Sequence, residues 1–229
     1  MKTTMGPDQT ITSSPCHTPL HLLVPERCPT CRDGQLQTLS RAGLVAQFPD
    51  NLSTVIAAAD MRKDTLTRDL ITVFAGTGLR FEELAHLRPL NIHWDTPKPK
   101  IEIRAYGDWS PKDPREVKRI PMSSVVQEVI RRRTAKRKPD EYIFQNTVGG
   151  KVHVNRARER LQRLFPLVGI DQTARRLHWH SFRNYFVIRC LKKGYAVNNI
   201  MRWTGHDSAA MVLHYAEAMS SIDEDADFE

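Results

Sequence analysis

Apolar residues follow a clear helical spacing only from Leu66 onward. The first such helix covers residues 66–74, and we expect it to end at the turn Gly76-Thr77-Gly78. A short second helix follows over residues 80–87 and ends before Pro89, which lacks the N–H needed to continue it. The same spacing predicts four later helices: one that begins at Ser123 or Ser124, and three over residues 155–168, 182–193 and 208–219.

Between the second and third helices the pattern becomes that of β-strands. Ile101 and Ile103 alternate with charged residues, and Val117 and Ile120 lie on a second candidate strand. The intervening residues 104–116 contain one glycine and two prolines, so the strands can pair as a hairpin with a long loop. We therefore expect a mainly helical α+β fold with a small antiparallel β-sheet near its start.

The chain divides into three parts by composition. Residues 1–58 contain six prolines and little periodicity, so we expect a short irregular arm. Residues 59–219 contain the predicted helices and strands and form the main domain. Residues 220–229 form an acidic C-terminal tail.

The charge of the chain favours nucleic acid as a partner. The 229 residues include 34 lysines and arginines against 26 acidic residues, which gives a net charge of +8. Five of those acids lie in the last seven residues, so the remainder carries +13. We find neither a membrane-spanning apolar run nor a signal-peptide pattern, and four cysteines do not make a disulfide framework. We expect a reduced, cytoplasmic, DNA-associated protein.

Six basic residues within residues 131–138 end the helix that begins near Ser123. Two interpretations stay open for them. They form either a solvated face that complements the helix dipole or a surface that contacts phosphate.

The N-terminal arm contains a candidate zinc site. The spacing of Cys28 and Cys31 lets two thiolates bind one tetrahedral metal, and Cys16 with His17 or His21 would complete the ligand set. Two interpretations again stay open: a structural zinc ion at Cys16, His21, Cys28 and Cys31 that folds the arm, or reduced cysteines without metal.

The C-terminal third concentrates residues suited to chemistry at a phosphodiester. Cutting a DNA strand without a metal needs a nucleophile, cations for the nonbridging oxygens, and groups that accept and donate protons. His180 and Arg183 are three residues apart, so one helical face can present both. His206 and Tyr215 follow, and Arg80 lies upstream at the start of a short helix.

Taken together, these motifs resemble the tyrosine recombinase (phage integrase) family over roughly residues 60–218. The resemblance is carried by Thr77-Gly78-Leu79-Arg80-Phe81-Glu82-Glu83-Leu84 (its first signature), Lys118-Arg119-Ile120-Pro121-Met122 (the end of its β-hairpin), His180-Ser181-Phe182-Arg183 (its HxxR box), Thr204-Gly205-His206 (its LGH box) and Tyr215 (its nucleophile).

The resemblance implies a role for each site residue. Arg80 and Arg183 would clamp the scissile phosphate through their planar, permanently charged guanidiniums. Tyr215 would attack phosphorus, form a 3′-phosphotyrosyl bond and release a 5′-hydroxyl. His180 would accept the tyrosine proton, and His206 would hydrogen-bond the phosphate.

The family's general acid is a lysine in the β-hairpin loop. Spacing back from Pro121 points to Lys112 or its neighbour Asp113, in a loop about one residue longer than usual. We choose Lys112, with Lys118 as the alternative. The resemblance implies no metal or nucleotide cofactor, because the phosphotyrosine conserves the energy of the broken diester.

Three features depart from the family pattern. Thr204 stands where leucine is usual, and Asn184-Tyr185-Phe186 replaces His-Thr-Phe after Arg183. Residues 1–60 are too few for the helical domain of about a hundred residues with which family members encircle DNA.

We therefore predict a site-specific DNA recombinase or integrase of a virus, plasmid or other mobile element. It would act on double-stranded DNA as a homo-multimer, a tetramer. Two alternatives are a type IB topoisomerase-like enzyme that relaxes supercoils, and a DNA-binding regulator that keeps the fold without cutting.

Overall fold

The computed structural model describes residues 49–107, 109–113, 117–170 and 177–215. Their helices are α1 (Pro49–Met61), α2 (Thr65–Thr77), α3 (Phe81–Ala85), α4 (Ser124–Thr134), α5 (Val154–Gln162), α6 (Trp179–Lys192), α7 (Val197–Thr204) and α8 (residues 209–215). Between them lie the 3₁₀ helices Pro89–Asn91 and Phe165–Val168 and the strands β1 (Ile92–His93), β2 (Lys100–Ile103) and β3 (Lys118–Pro121).

Some predicted features lie outside these ranges, namely Cys16, His21, Cys28, Cys31 and the acidic tail over residues 220–229. Within the described ranges, no group of three or more His, Cys, Asp or Glu side chains is arranged to hold a metal ion. None of the helices described there combines the length and the apolar character that crossing a bilayer requires.

The three strands form one antiparallel sheet in the order β1-β2-β3. Ile101 of β2 pairs with Ile92 of β1 and with Ile120 of β3, and all three side chains are buried. The sequence predicts the β2–β3 hairpin but not β1, since two residues are too few to show an alternating pattern. The small sheet among helices confirms the predicted α+β fold.

Helix α2 packs against α1, α4 and α6 and so lies at the centre of the fold. Asp64 caps its first turn by accepting a hydrogen bond from the Thr67 amide at 3.1 Å. Helix α2 is terminated by Gly78, the residue after its last, whose φ of +64° is in the left-handed region. A β-carbon at Gly78 would lie 2.4 Å from a ring carbon of Phe186, so both the turn and the packing require glycine. This turn sets the position of Arg80.

An aromatic cluster joins α2, α3 and α6. The Trp179 ring lies 5.2 Å from that of Phe74, 5.8 Å from that of Phe81 and 5.7 Å from that of Phe182, measured between ring centroids. Tilted contacts of this kind each contribute about 0.5–1.5 kcal/mol beyond simple burial. The cluster therefore fixes α6 against the turn between α2 and α3.

A helix lies in part of the segment for which the sequence predicts an irregular arm. Helix α1 starts at Pro49, within the segment expected to be irregular, and its Val55, Ala58 and Ala59 are fully buried in the core. The domain boundary expected between residues 58 and 59 therefore falls within a helix. Proline at the first helical position is compatible with a helix, because that N–H has no partner within the helix.

Two further helix boundaries differ from the prediction. The helix expected over residues 155–168 ends at Gln162, and the separate 3₁₀ helix Phe165–Val168 follows it. Pro166 explains the break, since its ring fixes φ and removes a backbone donor. Helix α6 begins at Trp179 instead of residue 182, so His180 lies in its first turn.

Asp69 connects α2 to α4 through a buried carboxylate. Its side chain is 1% exposed and lies 2.9 Å from Arg68 Nε, 2.7 Å from Arg132 Nη2 and 2.7 Å from Arg133 Nε. The sequence left open whether the basic end of α4 is solvated or contacts phosphate. Two of its arginines bind Asp69, so a part of that cluster holds the fold together.

We expect Asp69→Asn to lower the free energy of unfolding by about 3 kcal/mol, the low end of the range for removing one member of a buried ion pair. The matched control is Asp60→Asn, since Asp60 also binds Arg68, at 2.7 Å, but is 49% exposed. Exposed pairs contribute about 1 kcal/mol or less. Urea unfolding of both variants measures the difference, and equal losses would contradict the assignment.

Candidate active site

Arg80 is held at the start of α3 by two contacts of its side chain. The guanidinium donates to Glu83 Oε1 at 3.1 Å and to the carbonyl oxygen of Gly205 at 2.8 Å. Glu83 also accepts a hydrogen bond from the Arg80 amide at 2.8 Å, which caps the helix. The Arg80 side chain remains 30% exposed, so it can reach a ligand.

Arg183 of α6 lies close enough to Arg80 for the two charges to repel each other. It is 2% exposed and donates from Nη1 to the carbonyl of Gly78 and from Nη2 to the carbonyl of Thr204, both at 2.6 Å. Burial, followed by the positive charge of Arg80, lowers its pKa to about 10, so it stays charged at neutral pH. The two guanidiniums therefore contact the consecutive carbonyls of Thr204 and Gly205. The structure thus brings together the two arginines that the family resemblance assigns to one phosphate.

A buried ion pair between Glu83 and Lys118 lies next to the guanidiniums, with both side chains 2% exposed. For Glu83, burial alone would raise the pKa, but the Lys118 ammonium together with Arg80 outweighs it and the pKa is lowered. Burial lowers the pKa of Lys118, against the opposing effect of Glu83. Sequence reasoning assigns no role to Glu83, although its place three residues after a helix cap is a signal for capping.

Gly205 brings the end of α7 against this charged group. Its φ is +65°, and a β-carbon there would lie 2.6 Å from Lys118 Cε and 3.1 Å from Arg80 Nη1. The left-handed conformation favours glycine, and the missing β-carbon lets the ends of two cationic side chains approach the backbone closely. The next residue, His206, is turned towards Arg183 as a result.

His206 contacts Arg183 and Thr204 through the two nitrogens of its ring. Its Nε2 lies 3.3 Å from Arg183 Nη2, and its Nδ1 lies 2.8 Å from Thr204 Oγ1. Burial, then the positive charges of Arg183 and Arg80, lower the His206 pKa to about 4. The imidazole is therefore neutral at physiological pH.

Tyr215, on α8, lies beside both Arg183 and His206. Its hydroxyl donates to Asn184 Oδ1 at 2.9 Å, and its ring centroid is 6.4 Å from that of His206. The side chain is half-buried and so not enclosed by the core. Asn184 has no role in the sequence prediction, although it directly follows Arg183 and is one of the departures from the family pattern.

His180 lies at the edge of this group. Its side chain is exposed in the first turn of α6, and its charge is one of the causes of the lowered His206 pKa. The structure thus brings Arg80, Arg183, His206 and Tyr215 together, with His180 close enough to affect His206 electrostatically.

The two candidate acids are in opposite environments. Lys112 is 73% exposed and lies 3.8 Å from Asp207, the residue after His206, whereas Lys118 is buried against Glu83. The loop that carries Lys112 is attached to the domain by Trp109, whose ring stacks on His86 with centroids 4.5 Å apart. Lys112 therefore lies on the solvent side of the site and Lys118 beneath it.

The fold is shared with solved tyrosine recombinase structures, and two arginines, a histidine and a tyrosine meet within it. The profile of the phage integrase family matches residues 48–221. The chain therefore belongs to the phage integrase family. No curated protein matches the sequence significantly.

Solved structures of tyrosine recombinases share this fold. The Tn1549 transposon integrase in complex with circular intermediate DNA is 21% identical with a TM-score of 0.57, covering 78% of this chain and 65% of that one. XerA recombinase is 19% identical with a TM-score of 0.60, covering 79% and 62%. A lambda integrase dimer bound to a core site is 15% identical with a TM-score of 0.53, covering 71% and 57%. This chain thus spans less than two thirds of each structure.

We expect His206 to titrate near pH 4 in the folded protein and near 6.5 in urea. The unfolded chain takes up this proton first, so the free energy of unfolding falls as the pH drops from about 6.5 to about 4. An NMR titration of the imidazole measures the pKa, and the spectrum of His206→Gln assigns the resonance. A folded-state value close to 6.5 would show that the site does not disfavour the charged imidazole.

Proposed function

We propose that this chain is a site-specific DNA recombinase that cleaves and rejoins strands through a 3′-phosphotyrosyl intermediate. The observation that carries the proposal is the convergence of Arg80, Arg183, His206 and Tyr215, which come from three distant parts of the sequence. A phosphodiester between the two guanidiniums would lie within reach of both the imidazole and the phenol.

The arginines would stabilise the charge that develops on the nonbridging oxygens. Each guanidinium is already oriented by carbonyl oxygens, Gly205 for Arg80 and Gly78 and Thr204 for Arg183. Donors fixed before the reaction lower the barrier more than flexible ones, because they need no reorganisation as charge builds. Membership of the phage integrase family supports the same assignment.

Tyr215 would be the nucleophile and His180 the acceptor of its proton. In the free protein the phenol proton points to Asn184, so attack requires the hydroxyl to turn towards the phosphate. His206 would hydrogen-bond the phosphate from the side of Arg183. No metal or nucleotide is needed in this scheme, since the arginines provide the positive charge and the phosphotyrosine conserves the bond energy.

Lys112 is the better candidate for the acid that protonates the leaving 5′-oxygen. Its ammonium is exposed next to the His206 segment, whereas the ammonium of Lys118 is enclosed and bound to Glu83. A general acid must come within hydrogen-bonding reach of the leaving oxygen. Lys118 would instead hold Glu83 and, through it, Arg80.

Double-stranded DNA is the proposed partner. A cleft of about 880 Å³ beside the α1–α2 turn and α5 is lined by five cationic and two acidic side chains. The cations are Arg62, Lys63, Arg156, Arg160 and Arg163. Together with a net charge of +8, this favours a polyanionic backbone. We propose that the chain acts on DNA as a homo-multimer, a tetramer, and that it comes from a virus or other mobile element.

Incubation with a nicked suicide substrate should trap a covalent protein–DNA adduct on a denaturing gel. We expect Tyr215→Phe to abolish it, since phenylalanine has no attacking oxygen, and Tyr195→Phe, an exposed tyrosine elsewhere, to leave it intact. An adduct formed by Tyr215→Phe would refute the assignment of Tyr215 as the nucleophile.

The same assay separates the alternative functions. Tight binding without any adduct would favour the non-cutting regulator. Relaxation of supercoils without strand exchange would favour the topoisomerase-like alternative, and EDTA tests the metal-free scheme.

Lys112→Met should slow adduct formation about 10²- to 10⁴-fold, the usual contribution of a general acid. A substrate with sulfur in place of the 5′-bridging oxygen should restore the rate, because a thiolate leaves without a proton. Lys136→Met, at an exposed lysine of the basic segment, is the control. Rescue of Lys118→Met but not of Lys112→Met would transfer the role to Lys118.

A further inference from the structure

Thr204 is a fully buried hydroxyl in contact with His206. It is the last residue of α7 and is 0% exposed. Its Oγ1 lies 2.6 Å from the carbonyl oxygen of Ile200 and 2.8 Å from His206 Nδ1. Both distances are those of hydrogen bonds, so the single hydroxyl proton must serve one of the two contacts.

The contact with Ile200 takes that proton. Two oxygens 2.6 Å apart need a hydrogen between them, and a carbonyl oxygen carries none, so Thr204 donates to Ile200. Towards His206 the hydroxyl can then only accept. Nδ1 of His206 must therefore carry a hydrogen.

The opposite side of the ring leads independently to the same tautomer. Arg183 Nη2, 3.3 Å from His206 Nε2, can only donate, because a guanidinium has no acceptor. A neutral imidazole has one N–H, and here it lies at Nδ1, which leaves the lone pair of Nε2 directed at Arg183. In the reverse tautomer the Nε2–H would face an N–H of Arg183. On the other side of the ring, the lone pair of Nδ1 would face a lone pair of Thr204 Oγ1.

We propose that Thr204 is a positioning residue that holds neutral His206 in the Nδ1–H tautomer, with the Nε2 lone pair turned to Arg183 and the phosphate position. In the DNA-free protein Nε2 is then an acceptor. It can donate to a phosphate oxygen only after it takes up a proton. The catalytic consequence rests on the proposed function, but the tautomer does not.

The charges around the ring fit this assignment. Burial is the largest cause of the lowered His206 pKa, followed by the positive charges of Arg183 and Arg80, and a proton on Nε2 would face the guanidinium of Arg183. The low pKa of His206 thus agrees with a neutral ring in the free protein, and the contacts of its two nitrogens select the tautomer. A bound phosphate would supply the negative charge that this position lacks.

The test is ¹⁵N NMR of the DNA-free protein with labelled histidine at neutral pH. We expect a protonated, pyrrole-type Nδ1 and an unprotonated, pyridine-type Nε2 for His206 in the wild type. Thr204→Ser, which keeps the hydroxyl, should give the same pattern. Thr204→Val keeps the shape but removes the acceptor, so only the 3.3 Å contact with Arg183 still favours Nδ1–H, and we expect a mixture with part of the proton on Nε2. A wild-type spectrum with the proton on Nε2 would overturn the proposal.

Adduct formation on the suicide substrate gives the second measurement. We expect Thr204→Val to slow it about 10-fold or more, because the doubly protonated ring that would donate to the phosphate loses the oxygen that accepts from Nδ1–H, and Thr204→Ser to keep the wild-type rate. A slower Val variant with an unchanged tautomer would mean a packing defect and would also overturn the proposal. If Val does not fold, the wild-type and Ser spectra still decide. Absence of any wild-type adduct would count against the proposed function and leave the tautomer measurement standing.

Discussion

The guanidinium of Arg183 is the interaction on which the rest of the site depends. It joins the turn after α2 to the end of α7 through two carbonyl oxygens, and it contacts His206 as well. A buried charge is costly unless it is fully hydrogen-bonded, so these acceptors are needed simply to keep Arg183 in place. The same contacts fix the positions of Gly78 and Thr204, and therefore of the residues that follow them. Stability and site geometry thus rest on one side chain.

The second constraint is the balance of charge around that guanidinium. Arg80, Arg183 and Lys118 bring three positive charges close together, and Glu83 contributes one negative charge that contacts both Arg80 and Lys118. Glu83 relieves part of the repulsion, and its contact with the Arg80 amide also caps α3. Without a ligand the group keeps an excess of positive charge. Such an excess suits a partner that supplies negative charge, as a phosphodiester does.

Local patterns of the sequence account for most of the fold, and they also indicate which residues form the candidate site. The helices around residues 66–74 and 182–193 follow from apolar spacing, and the site residues stand in recognisable motifs. What the sequence does not give is contact between distant segments. Glu83, Asn184 and Thr204 each bind a site residue, yet none of them belongs to an expected catalytic role. Asn184 meets Tyr215 and Glu83 meets Lys118 only in the folded chain, whereas Thr204 binds His206 two residues away, a contact that motif spacing does not show.

Loop geometry limits the prediction in a different way. Spacing alone leaves Lys112 and Lys118 as alternatives, because the length of a loop does not determine which side chain is enclosed. Burial separates them, since Lys118 faces Glu83 beneath Gly205 and Lys112 faces solvent beside Asp207. The stacking of Trp109 on His86 explains how a long loop keeps its lysine near the site. The ammonium of Lys118 is engaged by a buried carboxylate, whereas that of Lys112 is exposed and available to exchange protons. The proposal that the two lysines have different tasks rests on this difference in environment.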